Sequence, residues 1–86
     1  MSTPLLQFPT DYPLKVVGRA SEELRSTIDA IVARHVPDYD ASRTRSRASA
    51  NGNFLSLSYV IHAQSAEQVT ALATELRSCE AVLLVL

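Results

Sequence analysis

Eighty-six residues that are 47% hydrophobic and 20% charged, with only two glycines and four prolines, make one folded domain and exclude both a second domain and a disordered segment. Eight Lys and Arg against nine Asp and Glu leave a net charge of −1, which excludes global attraction to nucleic acid or an anionic membrane. The lone Cys79 excludes an intrachain disulfide framework and a cysteine-rich metal site, and it points to a reducing, cytoplasmic setting.

Residues 1 to 11 read as an extended arm, pinned by Leu5, Leu6 and Phe8 and kept from helix by Pro9 and Pro13, with a single domain over residues 12 to 86. Its start lacks the apolar run of a signal peptide, and the apolar end from Ala81 to Leu86 is too short to cross a bilayer, so no membrane contact is expected. Pro13 to Arg19 predicts a first strand with Leu14 and Val16 inward and Gly18 near the turn. Ser21 suits an N-cap, and Glu22 and Glu23 complement a helix dipole. Leu24, Ile28, Ile31 and Val32, then His35 or Val36, recur at the spacing of one helical face. The first helix is therefore expected from about Ser21 to His35, with Pro37 as its stop.

Asp40 to Gln64 reads as a hairpin hinged on Asn51-Gly52, two residues that tolerate the positive φ of a two-residue type I′ turn. That turn sets Ala48 across from Leu55, Ser46 from Leu57, Thr44 from Tyr59 and Ser42 from Ile61. On the other face Arg47 lies across from Ser56, Arg45 from Ser58 and Arg43 from Val60, so one face is apolar and the other carries a comb of arginines. Ser65-Ala66-Glu67-Gln68 is a capping box opening a second helix with Val69, Leu72, Ala73 and Leu76 inward. Glu80 to Leu86 reads as the last strand.

Strand, helix, strand, strand, helix, strand predicts an α+β ferredoxin-like βαββαβ sandwich, a four-stranded antiparallel sheet with two helices on one face. The first and last strands are expected at or next to the centre and the Asp40 strand at an edge. The open face then holds Lys15, Val17, Arg43, Arg45, Arg47, Phe54, Ser56, Ser58, Val60 and His62, together with Leu83 and Val85. An uncovered apolar patch implies contact with something, and three arginines at i, i+2 and i+4 call for screening anions.

Phe8-Pro9, Lys15-Val16 with Gly18, Arg34-His35 with Pro37, Gly52-Asn53 followed by Ser56 and Ser58, Glu67-Gln68-Val69, Glu75-Leu76 and Val85-Leu86 span nearly the whole chain. In order and spacing this set resembles the YbeD-like family of small bacterial proteins. The resemblance implies a ferredoxin-like fold similar to that of ACT regulatory domains, and it supplies no catalytic residue. The comb is a departure: a basic residue near position 47 is usual in the family, whereas Arg43 and Arg45 are not.

Neither His35, at the end of the first helix, nor His62 has Cys, Asp or Glu at metal-ligand spacing, so no metal is expected. Cys79 follows a helix, the wrong end for lowering a thiol pKa, and Ser56 and Ser58 lack a neighbouring base, so no catalytic residue and no cofactor are expected. Gly18 and Arg19, ahead of a helix, are a candidate anion cradle opposed by Glu22 and Glu23. The expected function is a non-enzymatic regulatory or adaptor domain whose open face binds a protein partner or a second copy of the chain as a homo-oligomer, with a small anionic metabolite near the comb. RNA held by Arg43, Arg45 and Arg47 is the competing use. Phe54 is the single aromatic on that face, which disfavours nucleic acid.

Overall fold

The computed structural model describes residues 7–86, so Leu5 and Leu6 of the expected arm lie outside the described residues. In chain order these form β1 (Thr10–Arg19), α1 (Leu24–His35), a 3-10 turn (Ala41–Arg43), β2 (Arg45–Ala48), β3 (Phe54–Ala63), α2 (Ala66–Ser78) and β4 (Val82–Val85). The strands make one antiparallel sheet in the order β2-β3-β1-β4, with both helices on one face, the ferredoxin-like sandwich. The last strand is an edge. Ten-residue β1 and β3 have partners on both sides, whereas β4 reaches only Val16, Val17 and Gly18 through its ladder.

The core lies between sheet and helices. Leu24, Ile28, Ile31 and Val32 of α1 and Leu72 and Leu76 of α2 meet Leu14 and Val16 of β1 and Leu57, Tyr59, Ile61 and Ala63 of β3. Val36, which leaves the helical region ahead of Pro37, completes the α1 stripe in preference to His35. Tyr59 brings a polar group into this core. Its hydroxyl donates to Asp29 Oδ1 at 2.6 Å, and its ring meets Tyr39 edge-on at 6.0 Å. Burial, then the Asp29 hydrogen bond, raises the pKa of the Tyr59 hydroxyl, which therefore remains a donor.

Local signals set the helix ends with small departures. Ser21 Oγ accepts from Leu24 N at 3.1 Å, but Ser21, Glu22 and Glu23 form a turn ahead of α1 and not its first residues. Ser65 Oγ caps α2 by accepting from Gln68 N at 3.1 Å. The Gln68 side-chain oxygen Oε1 accepts from Gln64 N at 2.7 Å, so the reciprocal bond of the box falls one residue early.

The hairpin keeps its expected register, with Arg45 across from Ser58, Ser46 from Leu57, Arg47 from Ser56 and Ala48 from Leu55. Its turn differs. Ser49 N donates to Phe54 O at 2.9 Å, leaving four loop residues, of which only Gly52 has positive φ, at 77°. Asn51 instead accepts through Oδ1 from Asn53 N and Ser49 Oγ. Loops of two and four residues centred on the same bond give the same register, so the pairing survives the change.

Upstream, the ladder stops at Arg45. Asp40 Oδ1 accepts from Ser42 N at 3.0 Å and nucleates the 3-10 turn, a local bond that competes with strand pairing. The expected pairings of Ser42, Arg43 and Thr44 are therefore absent, and only Arg45 and Arg47 of the comb stand on a strand. In β4, Val85 pairs with Val16, Leu84 with Val17 and Val82 with Gly18, leaving Leu83 as the extra residue of a bulge. Val85 thus joins the core side, and Leu84 takes the open-face place expected of Leu83 and Val85.

Candidate functional site

Strand pairing builds the open face in rows. Lys15 lies across from Ser58 and Ser58 across from Arg45, so ammonium, hydroxyl and guanidinium share one row over β1, β3 and β2. The next row is Leu84, Val17, Ser56 and Arg47. Pro13 with Val60 flanks the first row, while Arg19 with Phe54 and Asp11 with His62 close the ends. A groove of about 370 Å3 lies over the first row, lined by the cations Lys15, Arg43 and Arg45 and by apolar Pro13, Val60 and Leu86. Arg43 is therefore brought to the face from the 3-10 turn although it is off the strand.

Positive charge dominates this groove. Lys15 and Arg47 have no ion pair among the described residues. Arg45 Nη1 donates to the carbonyls of Ser42 at 3.2 Å and Thr44 at 3.5 Å, which ties the start of β2 to the 3-10 turn. Arg43 Nη1 lies 3.6 Å from Asp11 Oδ2, and His62 Nδ1 lies 3.2 Å from Asp11 Oδ1. His62 first, then Arg43, holds the Asp11 carboxyl below its usual range. These are exposed pairs, and they contribute little to stability.

Gly18 and Arg19, the candidate anion cradle, stand at the end of a strand. Both residues belong to β1, where Arg19 N donates to Ala81 O at 2.9 Å, and just beyond the strand Ala20 N donates to Asn53 O at 3.0 Å, so these two donors are already used. A Cβ on Gly18 would stand 2.7 Å from Ala81 O. The glycine answers to a close backbone crossing.

A second polar cluster escaped the sequence reading, because its members come from two separate helices. Arg34 donates to both oxygens of Glu75, with Nη1 at 3.0 Å from Oε1, and His35 Nε2 lies 2.7 Å from Oε1. Gln68 Nε2 adds a bond to His35 O at 3.0 Å. The end of α1 is thus clamped to α2. Arg34 first, then His35, holds the Glu75 carboxyl at about 2, below its ordinary 4.5. A lowered carboxylate pKa gives stability that is complete above the unfolded value and lost as pH falls through the folded one. Thermal unfolding should therefore show a decline between pH 4.5 and about 2 that Glu75→Gln flattens. Identical pH profiles for the two proteins would remove Glu75 as its source.

No group of three His, Cys, Asp or Glu suited to a metal occurs among the described residues, and no described helix is long and apolar enough to cross a membrane. Cys79 is half-buried against the core.

A family model described as "Protein of unknown function (DUF493)" matches residues 3–86. A UPF0250 protein of Hahella chejuensis (strain KCTC 2396) is 42% identical over 83 residues, covering 96% of this chain and 91% of that one. A UPF0250 protein of Ectopseudomonas mendocina (strain ymp) is 43% identical over 84 residues with the same coverage. Among solved structures, the ACT domain from GTP pyrophosphokinase of Chlorobium tepidum is similar. Its solution structure gives a TM-score of 0.69 at 17% identity, covering 88% of this chain and 84% of that one. Its crystal structure gives 0.62 at 20% identity, covering 90% and 97%. At such identities the likeness shows a shared fold alone.

Proposed function

This chain belongs to the DUF493 family of UPF0250 proteins, and from that premise we propose that it is a non-enzymatic regulatory domain that docks an acidic partner protein on its open sheet face. One observation carries the reading. Lys15, Arg45 and Arg47 stand without a carboxylate beside an apolar strip of Val17, Val60 and Leu84, and no described element covers them. A surface of this kind complements a segment that brings carboxylates to the cations and apolar side chains to the strip. The ACT-like fold supports a regulatory rather than a catalytic role.

Two other occupants fit less well. A second copy laid face to face would bring a second set of the same cations into the interface without adding carboxylates to match them. RNA would need bases stacked on the middle strands, where Lys15, Val17, Ser56 and Ser58 offer no ring and Phe54 stands at the far end.

The test starts from a protein captured by the tagged chain out of nuclease-treated host extract and repeats the binding with purified components. Binding should fall with salt and weaken by about tenfold or more in Arg45→Glu/Arg47→Glu, while Thr70→Glu on exposed α2 leaves it unchanged. Equal binding by all three chains would overturn the proposal, and capture abolished by nuclease would replace it with the RNA reading.

A further inference from the structure

The sheet aligns three groups of the kind that hold anions: the Lys15 ammonium on β1, the Ser58 hydroxyl on β3 and the Arg45 guanidinium on β2. Neighbouring strands lie about 4.8 Å apart, so the two cations are rooted roughly 10 Å apart with the hydroxyl midway between them. Their long side chains can lean over the shorter serine and meet an anion above it. Arg45 is already held, because the carbonyls of Ser42 and Thr44 engage Nη1 and leave its other N–H donors without a protein acceptor among the described residues.

We infer that this row is the seat of a dianionic phosphate monoester whose apolar body lies along Pro13, Val60 and Leu86. The groove is lined by Lys15, Arg43 and Arg45 and by no Asp or Glu side chain, and the nearby Asp11 is engaged by Arg43 and His62. With Arg43 paired to Asp11, Lys15 and Arg45 remain, and a single carboxylate ligand would leave one of them unmatched. A phosphate monoester carries roughly −1.5 to −2 near neutral pH and offers three acceptor oxygens, enough for ammonium, hydroxyl and guanidinium together. The apolar lining then selects an ester over free phosphate. At about 370 Å3 the groove falls at the small end of ligand sites, with room for a headgroup and one ring or short chain.

This deepens the reading of the same face as a binding surface, since the ester and an acidic partner would compete for the same cations. Binding of the ester needs no partner, so the two readings fail separately.

The experiment is a titration of the 15N-labelled chain with phenyl phosphate, inorganic phosphate and benzoate at constant ionic strength. Phenyl phosphate should give saturable shifts centred on the amides of Lys15, Ser58 and Arg45, with affinity about tenfold above either comparator, the increment of one charge-assisted hydrogen bond or a few buried methylenes. Lys15→Met and Arg45→Met, at exposed positions, should each weaken it about tenfold. Benzoate binding as tightly, shifts that fail to saturate or centre elsewhere, or variants that bind like the wild type would overturn the inference. So would polyuridylate occupying the row while phenyl phosphate does not. Ester binding with no displacement of a docked partner would refute only the competition between the two.

Discussion

Tyr59→Ala is expected to lower the unfolding free energy by about 3–5 kcal/mol, the usual range for removing a large aromatic from a packed core. The ring is 1% exposed, sits on central strand β3 and packs edge-on against Tyr39. Its hydroxyl reaches Asp29 of α1, which also takes a bond from Arg25 Nε at 3.3 Å. Tyr59→Phe keeps the ring and loses only that hydrogen bond, so its expected cost is about 1–2 kcal/mol. Urea unfolding of the two variants separates packing from hydrogen bonding. Equal losses would mean that the hydroxyl, and not the buried ring, carries the effect. The residue also matters to the groove, because Ser58 and Val60 on either side of it point to the open face while Tyr59 anchors their strand to α1.

Gly18→Ala should cost about 1–3 kcal/mol, a steric penalty in a well-packed crossing. Two neighbours meet the added Cβ, Ala81 O at 2.7 Å and Leu24 Cδ2 at 3.1 Å. Leu24, whose Cδ1 also lies within 3.2 Å, would have to give by a few tenths of an ångström. The Ala81 carbonyl cannot give, since it is backbone and accepts from Arg19 N at 2.9 Å. Entry into β4 must therefore shift, and amide resonances of Arg19, Val82 and Leu84 should move with the loss of stability. An alanine variant as stable as the parent, with those resonances unchanged, would show that the crossing is looser than its geometry implies.

Where one segment answers only to its own neighbours, the residue order was enough. The stripe Leu24, Ile28, Ile31 and Val32 marks α1, and the strict alternation from Leu55 to Ala63 marks β3 and its buried side. Ser65 announces α2, and the centre of the Asn51-Gly52 loop sets the pairing that puts Arg45 and Arg47 across from serines. These follow from period, capping and chain reversal, rules that act within a few residues.

The remaining features depended on neighbours distant along the chain. Val82-Leu83-Leu84-Val85 is apolar throughout and has no period of its own, so its outward side was set by the Leu83 bulge against β1. Arg43 left the ladder because Asp40 captured Ser42, a local bond weighed against β3 pairing that only the assembled sheet resolves. Glu75 meets Arg34 and His35 only once two helices share one face. The Lys15, Ser58 and Arg45 row likewise exists because β1 lies beside β3. Composition and pattern thus specified the four strands, the two helices and the basic hairpin, while the order in which strands lie side by side assembled the groove, since lateral neighbours in a sheet come from segments that no local spacing connects.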